Sequence, residues 1–239
     1  MKKENKRILN PLVEKVGGRF STALGIHLSS LNPGEIFKWF LASVLFGARI
    51  SEPIVIKTYR GFEKEGILSP EAILDTGWDG LVEVLDGGGY VRYDFKTATK
   101  LLEVNRVLAD TYDGDLNLLH SKASDPRDLE GRLKALGRGI GEVTVNIFLR
   151  EMRGVWEKAR PLPSDLVVIA AKKLGLIPGN LKDKGLILQV LVNKWINEGM
   201  GMKDFPDLEA ALLRLGKDYC RKNLCPRCPV TDCKGKEKG

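Results

Sequence analysis

Apolar side chains in this chain recur at helical spacing, and nowhere do they alternate convincingly with polar ones as in a half-buried strand. Segment 35–46 carries Ile36, Phe37, Trp39, Phe40, Leu41, Val44 and Leu45, enough apolar positions for a buried helix. Pro53 suits the first turn of the next helix, which runs through Ile54, Val55, Tyr59 and Phe62. Ser69-Pro70-Glu71 opens a short helix that Thr76-Gly77 closes, and 78–85 forms another. The three consecutive glycines of Asp86-Gly87-Gly88-Gly89 predict a loop. Further helices are expected over 95–109, 128–136, 142–152, 165–174, 185–195 and 206–215. The fold class read from this pattern is all-α. Two prolines and several charges interrupt the helical pattern at 156–163, the best candidate for a domain boundary.

Composition narrows the class only modestly. A chain of 239 residues can bury one large core or two modest ones. No apolar run is long enough for a bilayer, and the basic stretch through Arg7 is not followed by an apolar signal core. A cytoplasmic protein without a membrane partner is therefore expected. The net charge of +7 favours a polyanionic partner through counterion release, yet a well-solvated surface explains it equally well.

Two local patterns carry more. The expected helices 128–136 and 142–152 are separated only by Gly137-Arg138-Gly139-Ile140-Gly141. Gly139 and Gly141 permit positive φ, and Ile140 between them is suited to plug into the core. The amides of such a turn, together with the start of the following helix, can converge on one phosphate. They would contact a nucleic-acid backbone and not its bases. A plain tight turn between packed helices is the simpler alternative.

The second pattern is Cys220-x4-Cys225-x2-Cys228-x4-Cys233, which holds all four cysteines of the chain. Four thiolates in so short a segment suit a [4Fe–4S] cluster or a structural zinc, and the spacing does not choose between them. Disulfides are disfavoured in a cytosolic chain. Pro226 and Pro229 stiffen the loop, and Arg221, Lys222, Arg227 and Lys234 surround it with positive charge.

Together, hairpin and cysteine loop resemble the endonuclease III branch of the helix-hairpin-helix DNA glycosylases, over roughly residues 35–233. The resemblance implies a two-lobed all-α fold with a C-terminal metal-cluster loop. A six-helix barrel-like domain at 35–155 would bear the hairpin, and 1–34 plus 156–239 would form the cluster domain. It implies a [4Fe–4S] cluster on Cys220, Cys225, Cys228 and Cys233, with zinc as the alternative. Asp165 matches the family's catalytic aspartate, and Arg138, Gly139, Ile140 and Gly141 match the DNA-binding hairpin. Arg49 falls where a side chain fills the gap left by an extruded base, a role that a stacking guanidinium can perform. Tyr90, Arg92 and Tyr93 correspond to the segment lining the lesion pocket.

The departures are specific. The cysteine spacing is shorter than the family's, and one extra residue precedes Gly139. Val143 stands where bifunctional members carry the Schiff-base lysine, and 142–152 contains no lysine. The resemblance thus implies a monofunctional DNA glycosylase of base-excision repair, hydrolysing the N-glycosidic bond of a damaged or mispaired base. It would act as a monomer on double-stranded DNA, associated with the nucleoid. The alternative is a non-catalytic damage-recognition protein with an iron–sulfur cluster. Asp165 has a second explanation as an acid at a helix start, where the dipole favours it.

Overall fold

The computed structural model describes residues 8–230 and 233. The basic stretch through Arg7, and Lys234, lie outside these. The protein is 69% helical, and no strand occurs among the described residues. No described helix is long and apolar enough to cross a membrane. The chain divides into two compact units. A central unit spans Leu24–Arg160, and a terminal unit takes in the chain through Ala23 and again from Pro161. The divisions fall at 23/24 and 160/161, where 34/35 and 155/156 were expected from the sequence. The difference reflects burial of Leu24, Ile26 and Leu28 at one end, and of Trp156 and Ala159 at the other.

The terminal unit begins with α1 (Leu9–Val16) and the single turn α2 (Phe20–Ala23). The central unit follows with α3 (Pro33–Phe46), α4 (Glu52–Lys64), α5 (Pro70–Gly88), α6 (Asp94–Tyr112), α7 (Leu116–Lys122), α8 (Pro126–Ala135) and α9 (Glu142–Met152). The chain then returns to the terminal unit for α10 (Asp165–Lys173), α11 (Lys184–Asn197) and α12 (Phe205–Asp218).

In the central unit, α3 is apolar nearly all round and is sheathed by its neighbours. Its residues from Ile36 to Leu45 are buried except Lys38. Asn32 caps it, accepting from the amides of Gly34 (2.9 Å) and Glu35 (3.3 Å), with Pro33 in the first turn. The Trp39 indole donates to the Phe148 carbonyl at 3.1 Å, and Phe40 meets the Phe148 ring edge-on at 5.4 Å. These contacts tie α3 to α9, the second helix of the hairpin.

Two readings of the glycines separate here. Gly77, with φ +67°, breaks α5 where a helix end was expected. The glycine run behaves differently, because α5 continues through Gly88 and only Gly89 terminates it. Propensity alone argues for a loop, but packing overrides it. A Cβ on Gly88 would lie 2.6 Å from the Thr58 Cα, so this glycine lets α4 and α5 approach closely. Helix α7 was not expected either, since it is only seven residues long and its three leucines set up no helical period.

In the terminal unit, α10, α11 and α12 bury Val167, Ala170, Ala171, Ile187, Leu191, Trp195, Leu208, Leu212 and Leu215 against Leu9 and Leu12 of α1. The start of α1 is held by Glu198, whose carboxylate accepts from the amides of Ile8 and Leu9 at 2.9–3.1 Å. The Arg214 guanidinium lies 3.7 Å from the centre of the Phe20 ring and donates to the Gly17 carbonyl at 3.1 Å. Helices α10 and α12 touch backbone to backbone at Gly216. A Cβ there would stand 2.7 Å from the carbonyl carbon of Leu166. Gly216→Ala is therefore expected to lower stability by about 1–3 kcal/mol, the usual cost of overpacking. Urea unfolding checks this, with Gly179→Ala, whose added methyl meets nothing within 4 Å, as the reference.

Candidate functional site

The hairpin is held from below by α6. Glu103 accepts from the Arg138 amide at 3.0 Å, and Ile140 is buried, so the turn is anchored at both sides of Gly139. Gly139 has φ +86° and is exposed. Gly141 is extended at φ −98°, so only one hairpin glycine uses the left-handed region. Gly141 caps α9 without a side-chain hydrogen bond, so the cap itself satisfies none of the first-turn amides. Val143, on that turn, is 63% exposed.

Arg49 and the hairpin border one pocket of about 570 Å³ in the central unit. Its lining includes Arg49 from the loop after α3, Tyr93, Lys96, Thr97 and Lys100 from α6 and the turn before it, and Arg138 and Gly139. None of these described lining residues is acidic. Arg92 lies over the Tyr93 ring, 5.6 Å from its centre, and is solvent-exposed.

Tyr90 sits elsewhere. It is fully buried, and its hydroxyl donates to the Leu45 carbonyl at 2.6 Å, with burial pushing its pKa well above the ordinary range. This corrects its expected place in a lesion pocket, because the tyrosine offers no face to an incoming base. The apolar end of α3 needs a capped, buried neighbour, and Tyr90 fills that role.

Lys96 and Lys100 escaped the sequence reading. The signal was available, since 93, 96, 97 and 100 lie on one helical face. Lys100 is half-buried beneath Gly139, where a Cβ would stand 2.8 Å from the lysine Cε. Burial alone holds its amine below the ordinary lysine range.

In the terminal unit, Asp165 is the first residue of α10 and is exposed. Ser164 caps this helix, accepting from the Val167 amide at 3.4 Å. The Asp165 carboxylate pairs with Lys184 Nζ at 2.8 Å. Lys184 begins α11, where the helix dipole disfavours a cation, so the carboxylate compensates it. The sequence held no signal for this pair, which only the return of α11 toward α10 creates.

The cysteine loop follows α12 as two tight turns, Cys220–Lys222 and Cys225–Arg227, with Asn223 left-handed at φ +53°. Lys173 at the end of α10 anchors it twice. Its Nζ donates to Asn223 Oδ1 at 2.9 Å, and its carbonyl accepts from Cys233 Sγ at 3.3 Å. Cys220 is buried and the other three thiols are half-buried. Burial, then the neighbouring Cys228, Cys233 and Cys225, push the Cys220 thiol up to about 11. Among the described residues, however, no three His, Cys, Asp or Glu side chains are gathered closely enough to hold a metal ion.

No protein-family model matches this chain. No curated protein matches it either.

The depressed Lys100 pKa makes a stability prediction. Between its folded value and about 10.4, the unfolded chain binds the extra proton, so folding strengthens as pH rises through that window. Lys100→Met removes the cost of burying an unpaired charge. It is expected to melt higher than the parent at pH 7, with the gap narrowing toward pH 10, as thermal unfolding at both values will record.

Proposed function

We propose that the chain is a base-excision DNA glycosylase, hydrolysing the N-glycosidic bond of a damaged or mispaired base in double-stranded DNA. The observation that carries this reading is the Gly139-Ile140-Gly141 turn, exposed at both glycines, whose Gly139 lines one pocket with the unpaired cations Arg49 and Arg138. Amides and cations so arranged suit a phosphodiester backbone. Asp165 would supply the chemistry. As the C1′–N bond breaks, its electron pair leaves with the base, which takes up a proton. Water adds to the resulting oxocarbenium carbon and yields its proton to the carboxylate. Val143 has no amine, so this helix forms no Schiff base, and the product is an abasic site. Arg49 is free to enter the gap left by the base.

The four cysteines would hold a [4Fe–4S] cluster, with zinc as the alternative. Their donor set fits a four-thiolate centre, and loading it would draw together side chains that are not yet gathered around one point. Such a centre would staple the loop to the end of α10 and take no part in base removal. Purified protein is expected to be yellow-brown and to absorb near 400 nm, roughly where thiolate-to-iron charge transfer falls. Zinc by elemental analysis, in a colourless protein, overturns the cluster.

One observation favours a second reading, that of a non-catalytic damage-recognition protein: Lys184 already occupies the Asp165 carboxylate. A panel of lesion duplexes decides between them. Base release is expected from the parent and a loss of at least about a hundredfold from Asp165→Asn, the scale of a general-base contribution. Borohydride is expected to trap no covalent complex. Tight duplex binding with no base released by either protein selects the second reading.

A further inference from the structure

Elsewhere on the protein several cations pair with acids: Arg19 with Asp207 at 3.1 Å, Lys38 with Glu35, Arg60 with Glu63, and Arg132 with Asp128 at 2.9 Å. Others, such as Lys57 and Lys194, make no ion pair with any described residue but are exposed to solvent. Arg49, Lys96, Lys100 and Arg138 make no side-chain ion pair or hydrogen bond with any described residue, although they border one cavity. Glu103, farther along α6, spends its carboxylate on the Arg138 amide at 3.0 Å. Four cations facing one another with no acid repel, and the half-buried Lys100 also forgoes hydration. Such an arrangement is unfavourable until an anion enters.

We infer that this pocket seats a phosphate group of a DNA strand, with Lys100 reaching it from below, past the missing side chain of Gly139, and Lys96, Arg49 and Arg138 closing around its rim. The inference rests on the DNA-binding part of the reading above and adds Lys96 and Lys100 to it. Three separated segments supply the cations: the loop after α3, the first half of α6, and the hairpin. Convergence from three segments on one cavity makes a seat of defined position, whereas a basic stripe along one helix would not. A mononucleotide-sized group fits the volume of about 570 Å³. The bare glycine matters as much as the charge. A residue with a Cβ at 139 would push against Lys100 Cε at 2.8 Å and cover the amine from above.

The test is the salt dependence of binding to an undamaged labelled duplex, followed by fluorescence anisotropy for the parent, Lys100→Met, Lys96→Met and the exposed reference Lys64→Met. Each phosphate contact contributes about 0.9 to the slope of log K against log salt. Lys100→Met and Lys96→Met are expected to flatten the slope by about one each, with circular dichroism unchanged and Lys64→Met matching the parent. Parent slopes in both pocket variants overturn the inference. Inorganic phosphate is the second probe. If it binds the parent and not Lys100→Met, while duplex slopes stay at the parent value, the seat serves a free anion and the proposal falls. Base release on the lesion panel is scored separately. Flattened slopes without base release keep the pocket and remove the glycosylase reading; base release with unchanged slopes does the reverse.

Discussion

The hydrogen bond from the Trp39 indole to the Phe148 carbonyl joins the two helices on which the central unit depends. Helix α3 is too apolar to face water on any side, so its neighbours must sheathe it. Helix α9 is one of those neighbours, and the hairpin is the loop that delivers it. The turn is therefore set by a core requirement: once Phe148 packs on Phe40 and accepts from Trp39, the start of α9 has little freedom. Glu103 and Ile140 then fix the turn itself. Rigidity of this kind suits backbone recognition, which relies on amides held in place before the ligand arrives.

How far the sequence discloses this varies with the physics involved. Helix starts were legible where a cap and a proline stand together, as at Ser69-Pro70, or where an acid opens the helix, as at Asp165. The all-α class was legible from periodicity. The end of α5 was misread because three glycines argue locally for a loop, while Gly88 answers to the close approach of Thr58. Helix α7 was missed because only Leu116 and Leu119 of its residues are buried. Tyr90 was assigned to the pocket through the resemblance of its segment, which carries no sign that its hydroxyl lies on the Leu45 carbonyl. The helical face that Lys100 shares with Lys96 was legible, but the charge surroundings of Lys100 and Lys184 were not. What distinguishes them is the presence or absence of an acid across the fold, and that is a tertiary property.

Electrostatics divides the candidate chemistry into two settings. Around the pocket of the central unit the cations stand without acids, and one of them is partly stripped of water. In the terminal unit the carboxylate of interest has a cation at 2.8 Å, and both groups are solvated enough that the pair is worth little as a stabilising contact. The first setting stores an unfavourable charge that an anion relieves. The second is a weak pair that a competing cation can open. The cysteine loop adds a third condition, in which a buried thiol is kept protonated by its surroundings until something replaces the proton.

The return of the chain from α9 to α10 has a consequence for synthesis. The central unit is continuous, so all of its helices are available once Arg160 has emerged from the ribosome. Helix α1 is made before the central unit but packs with α12, which is made after it. For most of translation Leu9 and Leu12 have no partner helix, and the amides that Glu198 will accept from face water. The nascent chain thus carries a short apolar helix that waits on the opposite end of the same polypeptide, and its exposure lasts as long as elongation through α12 takes.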